Sequence, residues 1–224
     1  LDKIPAEVAD LVKALNDLLG RLNAALEAQK QFTADAAHEL RTPLTAVRLQ
    51  LDLLNRSDNE ADRKESLTAL EKGVSRSIHL VQQLLELARQ EPDHAIGEFS
   101  QVDIQALVTT TLEEYTPLAE FKNISIEKNL DRSTVNGDGP SLAIMIGNIL
   151  GNAIAYTPQG GKIRVSTFED NQRTVLEISD NGIGISQNDR QQVFGRFYRV
   201  TGTGVSGSGL GLSIVKAIAA KHGI

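Results

Sequence analysis

The feature that most constrains the fold of this chain is a long run of apolar residues separated mostly by alternating steps of three and four. Its members are Leu11, Leu15, Leu18, Leu22, Ala25, Phe32, Ala36, Leu40, Leu44, Val47, Leu51 and Leu54. This spacing is typical of a coiled-coil seam. At 1.5 Å per residue such a helix is about 70 Å long, so it must pack lengthwise against a partner helix.

The regular spacing changes where steps of four follow each other, including those from Ala36 to Leu40 and on to Leu44. Pro43 lies at this point. Because proline removes a backbone donor and its ring crowds the preceding turn, we predict a kink in the helix there.

A second apolar run follows the polar break Ser57-Asp58-Asn59. It consists of Leu67, Leu70, Val74, Val81, Leu84 and Ala88 at heptad spacing, with Ile78 and Leu85 beside it. The two runs predict an antiparallel helical hairpin. One apolar stripe per helix stays half covered in a hairpin, and we therefore expect a homodimer that forms a four-helix bundle.

The rest of the chain has a different pattern, which begins after a linker marked by Pro92 and Gly97. Strand-like segments cover residues 124–130, 163–168 and 174–179, and helix-like segments cover 104–121, 141–156 and 210–221. This order predicts an α+β domain, a mixed sheet with helices on one face. The glycine- and serine-rich stretch 202–209 is typical of a mobile loop that covers a ligand.

Charge and composition exclude several classes of function. A net charge of −6 argues against an electrostatic nucleic-acid binder. Cysteine is absent, which excludes disulfides and thiolate metal sites and fits a reducing compartment.

The longest uncharged stretch, 139–161, is broken by polar residues and glycines, so we predict no transmembrane segment and no signal peptide. The chain begins at Leu1, without an initiator Met, and we expect it to be part of a longer protein.

His38 is the first candidate for chemistry. It lies off the apolar seam, with Asp35 and Thr42 on its face of the helix and Glu39 next to it. Carboxylates can hold the imidazole tautomer or accept its proton, which would make the other ring nitrogen a good phosphoryl acceptor. Taken alone, an exposed helical histidine is more often an ordinary surface residue.

The segment around His38, residues 32–44, resembles the phosphoacceptor box of the sensor histidine kinases, which reads His-Glu-x-x-Thr-Pro. Residues 148–156 resemble the asparagine box of that family, 180–185 its first glycine box, 193–199 its phenylalanine box and 207–212 its second glycine box. Each motif alone is weak, but all occur in the order and spacing of the family. The amino-acid sequence of residues 32–44 is most similar to that of the branch that includes QseC and PmrB.

The resemblance implies a domain order. Residues 1–30 resemble the end of a HAMP linker, which in the family follows a membrane-spanning helix. Residues 31–92 would form the dimerisation and histidine phosphotransfer domain, and 93–224 an ATP-binding domain of the type shared with Hsp90, gyrase and MutL, lacking its last strands. The fragment would then lie on the cytoplasmic side of a bacterial inner membrane.

The family pattern also assigns roles around a bound ATP. Asn152 would bind Mg²⁺, which accepts an amide oxygen beside phosphates and water. Asp180 would accept the adenine amino group, and Arg199 would neutralise charge on the γ-phosphate. The remaining nucleotide-binding positions implied by the resemblance are Asn148, Tyr156, Gly182, Gly184, Gly207, Gly209, Leu210 and Gly211. Those last four precede or open a helix, where free N–H groups favour phosphate.

Each of these residues also has a plainer interpretation. Two asparagines four residues apart often serve surface or capping roles, and an Asp before Asn-Gly is common in turns. The glycines can simply shape loops, and a single Arg is usually a solvated side chain. Phe194 and Phe197 are expected to pack a lid over the nucleotide rather than to bind it.

The implied activity is autophosphorylation of His38 with Glu39 as base. Transfer to an Asp of a response-regulator receiver domain would follow, and Thr42 would support a phosphatase reaction, although Thr42 could instead only shape the kink at Pro43. Ala155 departs from the family, which often has Lys or Arg there, and this predicts weaker nucleotide affinity or turnover.

Two other functions are possible. One alternative is an ATPase of the gyrase or Hsp90 class, in which the box around His38 would have no function. Another is a non-catalytic dimeric signalling scaffold.

Overall fold

A computed structural model describes residues 6–57, 59–89, 99–200, 202–205 and 207–224. The chain divides into two units, Leu1–His79 and Leu80–Ile224. The beginning of the HAMP-like segment and the predicted linker at Pro92 and Gly97 lie outside the described residues.

The first unit is helical, as the apolar spacing predicts. Helix α1 spans Ala6–Arg56 and passes through Pro43 without ending. Helix α2 spans Glu60–Arg89. Asn59 caps its first turn, since its side-chain oxygen accepts the Asp62 N–H at 2.8 Å. Gly73 of α2 lies directly against Val47 of α1, so the chain folds back on itself as a hairpin. The kink at Pro43 stays a prediction.

Burial separates the predicted apolar stripe of α1 into two faces. Leu40, Val47 and Leu54 are half-buried, whereas Leu44 and Leu51 between them are exposed. Helix α2 shows the same division, with Leu70 half-buried and Val74 exposed. One face of each helix is therefore shielded within the hairpin, and a second apolar face of each remains uncovered in a single chain.

The second unit has the predicted α+β architecture. Its helices are α3 (Ile104–Phe121), α4 (Gly139–Tyr156) and α5 (Gly211–His222). Its strands are β1 (Ser100–Asp103), β2 (Ser125–Leu130), β3 (Thr134–Gly137), β4 (Lys162–Asp170) and β5 (Arg173–Asp180). The last residues of α2, from Leu80 onward, also belong to this unit. The sequence pattern indicated every one of these elements except β1 and β3.

The main sheet has the order β2-β4-β5. β2 runs parallel to β4, and β4 runs antiparallel to β5, with Ile163 opposite Asp180. A separate antiparallel pair joins β1 to β3. This mixed sheet places Asp180 at the end of β5, where the chain leaves the sheet.

The core lies between the main sheet and the three helices. Along β4 the buried residues Ile163 and Val165 alternate with exposed Lys162 and Arg164, so one face of the sheet is covered. The fully buried helical residues are Val108, Leu112, Ile146, Leu150, Ile154, Ile214 and Ile218. Burying each large aliphatic side chain stabilises the domain by about 1.5–3 kcal/mol.

Helix α4, which carries both candidate asparagines, is fixed at its amino end by Asp138. The Asp138 carboxylate accepts the Ser141 hydroxyl at 2.7 Å and Lys221 Nζ at 3.3 Å. Partial burial raises the pKa of this carboxyl, but the hydrogen bonds from Ser141 and Lys221 outweigh it and hold the pKa below its usual value. His222 Nε2 accepts the Asp138 N–H at 3.0 Å. The start of α4 is thus tied to the end of α5.

Candidate phosphoacceptor and nucleotide sites

His38 is exposed on α1, as its position off the seam predicts. Among the described residues, no side chain hydrogen bonds to its imidazole. The Thr42 hydroxyl is 3.4 Å from the His38 carbonyl oxygen, and the Asp35 carboxylate accepts Gln31 Nε2 at 2.8 Å. Glu39, the predicted base, is half-buried. The imidazole is therefore exposed to a reactant, and Thr42 and Asp35 each contact a residue one turn back on the same helix.

Asn148 and Asn152 lie one turn apart on α4, against the first turn of α5. A Cβ atom added to Gly211 would be 2.9 Å from Asn148 Oδ1 and 3.8 Å from Asn152 Nδ2. Any side chain at position 211 would therefore overlap the Asn148 amide. The amino end of α5 directly adjoins the two asparagine side chains, and the first N–H groups of a helix have no partner within the helix.

Asp180, Gly182 and Tyr156 form a second close group. The Gly182 N–H donates to Asp180 Oδ1 at 2.9 Å. A Cβ atom on Gly182 would be 2.6 Å from the Tyr156 carbonyl oxygen, a backbone atom that cannot move aside easily. Gly184 follows with a φ of 69°, a conformation that glycine adopts without strain. This tight turn uses one Asp180 oxygen and leaves the side chain exposed to solvent.

A hydrogen-bond network supports the segment that precedes the glycine-rich loop. Asp189 accepts the Ser186 hydroxyl and the Tyr198 hydroxyl, each at 2.6 Å. These two bonds, Ser186 first, hold the pKa of the Asp189 carboxyl below its usual value. The next residue, Arg199, donates Nη2 to the Val205 carbonyl oxygen at 2.5 Å. In this structure the candidate lid arginine is therefore bound to its own loop.

Phe197 and Gly209 pack backbone to backbone at the two ends of this loop. Phe197 has a φ of 60° and Gly209 a φ of 71°. A Cβ atom on Gly209 would lie 2.6 Å from the Phe197 carbonyl carbon. Position 209 therefore needs glycine both for its backbone angle and for space.

Gly209→Ala is accordingly expected to destabilise the second unit by about 1–3 kcal/mol, since it combines a left-handed alanine with a backbone overlap. Gly207→Ala is the matched control, because a Cβ atom there would meet open space. Denaturant unfolding of both variants measures the difference. Equal stability of the two would contradict this account of the loop.

Sequence reasoning missed Gln83, and it included Ser208 in the second glycine box without giving it a role. The Ser208 hydroxyl donates to Gln83 Oε1 at 2.6 Å and accepts the Leu210 N–H at 3.2 Å. Gln83 Nε2 is 3.5 Å from Asn148 Oδ1. Gln83 lies in the part of α2 that belongs to the second unit, and 125 residues separate it from Ser208. No local sequence pattern could have paired them.

Comparisons with known proteins match these two regions separately. Residues 28–93 match the His Kinase A (phospho-acceptor) domain. Residues 137–224 match the histidine kinase-, DNA gyrase B- and HSP90-like ATPase family. His38 lies in the first match, and the candidate nucleotide residues from Asn148 to Gly211 lie in the second.

Similar proteins cover nearly the whole chain. The sensor protein kinase PmrB of Pseudomonas aeruginosa is 37% identical over 223 residues, which is 99% of this chain and 47% of that protein. The sensor protein QseC of Escherichia coli K12 is 35% identical over 224 residues, covering 99% of this chain and 49% of QseC. The chain thus spans about half the length of the curated relatives it matches. The predicted likeness to the QseC and PmrB branch is confirmed.

Solved structures of histidine kinases are also similar to this chain. The Acinetobacter baumannii histidine kinase AdeS is 27% identical with a TM-score of 0.64, and the alignment covers 82% of this chain and 86% of that one. The mycobacterial sensor histidine kinase MprB is 33% identical with a TM-score of 0.51, covering 56% of this chain and 80% of that one. The phosphoacceptor match, the ATPase match and these relatives agree, and the chain belongs to the sensor histidine kinases.

Proposed function

We propose that this chain is the catalytic core of a sensor histidine kinase that phosphorylates His38 from Mg-ATP and passes the phosphoryl group to an Asp of a response-regulator receiver domain. One observation carries the proposal. An exposed histidine on a coiled-coil helix occurs in the same chain as an ATPase fold whose Asn148, Asn152 and Gly211 adjoin at a helix amino end.

The nucleotide half of the reaction is assigned to the second unit. Asp180 accepts the adenine amino group, and the N–H groups at the start of α5 bind phosphate oxygens. Asn152 is the residue suited to hold Mg²⁺, which neutralises phosphate charge when bound. Arg199 exchanges its Val205 carbonyl for the γ-phosphate, because a phosphate oxygen is the stronger acceptor for a guanidinium.

At the acceptor, a neutral imidazole nitrogen of His38 forms a bond to the γ-phosphorus as the bond between that phosphorus and the bridging oxygen of ADP breaks. The proton on the other ring nitrogen passes to the Glu39 carboxylate. In the next step the receiver carboxylate forms the new phosphorus–oxygen bond, the bond from His38 to phosphorus breaks, and Glu39 returns the proton so that His38 leaves as a neutral imidazole. Positioning and charge neutralisation supply most of the rate enhancement.

We infer that the active form is a homodimer. Helix α1 exposes large aliphatic residues at Leu11, Leu15, Leu18, Leu22, Leu26, Leu44 and Leu51, and α2 exposes Val74, Ile78, Val81 and Leu85. A second hairpin would cover both stripes and complete the four-helix bundle.

We also infer attachment to the inner membrane of a bacterium, with this segment on the cytoplasmic side. The resemblance of residues 1–30 to a HAMP linker supports this position. In the part of the chain that the structure describes, no helix is long and apolar enough to cross a membrane. The anchor would belong to the portion of the relatives that this chain does not span.

Incubation with Mg²⁺ and ATP labelled at the γ-phosphate tests the proposal. We expect label on the protein that is stable to base and lost in acid, as for a phosphorus–nitrogen bond. ADP production without labelled protein would instead indicate an ATPase of the gyrase or Hsp90 class. Neither label nor ADP would favour a non-catalytic dimeric scaffold.

A relative suggests a second activity at the same helix. The Mycobacterium protein MprB, described as a histidine-protein kinase/phosphatase, is 36% identical over 226 residues. Thr42 lies one turn beyond His38, so its hydroxyl could orient water towards a phosphorylated Asp of the regulator. It would first release the His38 carbonyl oxygen, a long contact of 3.4 Å.

We therefore expect Thr42→Ala to keep autophosphorylation near normal and to lose most phosphatase activity towards the phosphorylated regulator. Label uptake from ATP, and label loss from the regulator with ADP and Mg²⁺, are measured in parallel. Thr45→Ala is the control, because that hydroxyl also bonds a carbonyl one turn back, at 2.8 Å from Arg41 O. Equal loss of both activities in Thr42→Ala would mean that Thr42 only shapes the helix near Pro43.

A further inference from the structure

Lys122 places its ammonium group at the carboxyl end of α4. The residue is half-buried and directly follows α3. Its Nζ lies 2.7 Å from the Ile154 carbonyl oxygen, 3.0 Å from that of Ala155 and 2.7 Å from that of Thr157. An ammonium group has three protons, and here each has a carbonyl acceptor.

The bonded oxygens are ones that helix geometry leaves without a backbone donor. The last four carbonyl groups of a helix lack an intrahelical partner and carry the negative end of its dipole. The main chain of Lys122 adds a further tie, since its carbonyl oxygen accepts the Gly160 N–H at 2.9 Å. The end of α4 and the turn after it are therefore fixed to the end of α3.

Tyr156 stands between two of the bonded carbonyls, and its own carbonyl faces the turn that holds Asp180. The Tyr156 oxygen is 2.6 Å from the place where a Gly182 Cβ atom would be, and the Gly182 N–H bonds to Asp180. The Tyr156 carbonyl oxygen and Gly182 are therefore packed too closely for any side chain to fit between them. A shift of the backbone at Tyr156 would therefore move or release the Gly182 turn and the carboxylate attached to it.

We propose that Lys122 is a positioning residue for base recognition: by holding the carbonyls on both sides of Tyr156, it fixes the backbone surface that sets the position of Gly182 and Asp180. The inference rests on the proposed function, in which Asp180 accepts the adenine amino group. Lys122 would thus affect nucleotide selectivity although its ammonium group bonds to backbone oxygens and not to the nucleotide.

The test compares Lys122→Met with Lys122→Arg in the full chain. Calorimetry gives the dissociation constants of ATP and of inosine triphosphate, which has an oxygen where adenine has its amino group. We expect Lys122→Met to weaken ATP binding about tenfold and inosine triphosphate binding much less. The dissociation constant of inosine triphosphate divided by that of ATP should therefore fall. Lys122→Arg, which keeps charged donors at this position, should preserve most of the ratio.

The ratio separates positioning from stability, because partial unfolding lowers the binding of both nucleotides equally. Lys128→Met is the matched control, since Lys128 is an exposed lysine on β2. If Lys122→Met does not fold, Lys122→Gln, whose amide has two donor protons, is measured instead. An unchanged ratio in a chain that binds ATP would overturn the inference alone. A wild-type chain that binds no ATP would overturn the proposed function as well.

Discussion

Replacing His38 by alanine is expected to abolish phosphoprotein formation while leaving ATP binding near normal. The imidazole is exposed and has no hydrogen-bond partner among the described residues, so its removal should change neither helix packing nor the second unit. The measurement is label uptake from ATP, together with the ATP dissociation constant by calorimetry and the molar mass of the protein in solution by light scattering.

His79→Ala is the control for this substitution, because His79 is likewise exposed on a helix of the hairpin and lies outside the family motif. It should be labelled like the wild type. Labelling of the His38→Ala chain at a comparable rate would show that another residue is the acceptor.

The second large effect is expected for Asp180→Asn, which should weaken ATP binding by about 1–3 kcal/mol. The asparagine oxygen can still accept the Gly182 N–H, now bonded at 2.9 Å, so the turn should persist. Its amide nitrogen, however, presents donor protons to the adenine amino group where the aspartate presents an acceptor. The loss therefore reports base recognition rather than loop collapse.

Calorimetry with ATP and GTP checks this expectation. The wild type should discriminate strongly against GTP, and Asp131→Asn, at an exposed aspartate in the same unit, should behave like the wild type. Comparable wild-type affinities for ATP and GTP would indicate that Asp180 does not read the base.

The elements that sequence predicts well here are those with a strong apolar period and a clear boundary residue. The predicted helix 104–121 matches α3 because Asp103 caps it, accepting the Ala106 N–H at 2.9 Å. Strands β1 and β3 were missed because each has four residues and a single valine. They pair with each other, Val102 opposite Val135, and this long-range pairing leaves no periodic signal in either segment.

The candidate site divides in the same way. Motif spacing is enough to select Asn148, Asn152 and Gly211, and the structure brings them together. Spacing cannot show that Arg199 bonds to its own loop at Val205, or that Lys122 reaches carbonyls more than 30 residues away. Such contacts depend on tertiary folding, and lysine, arginine and glutamine are common on any surface.

The contact between Gly73 and Val47 has a consequence for the register of the two helices. A Cβ atom at position 73 would lie 2.9 Å from Val47 Cγ2, so the helices meet here with no space for a side chain. Ala69 and Ser77, one turn to either side of Gly73, are also small and half-buried. Gly73, which lacks a Cβ atom, is therefore the residue of α2 that allows Val47 to approach this closely. Axial sliding of α2 by one turn would place Ala69 or Ser77 against Val47, and the Cβ atom of either residue would overlap the valine at this spacing, so the contact favours a single register of the two helices.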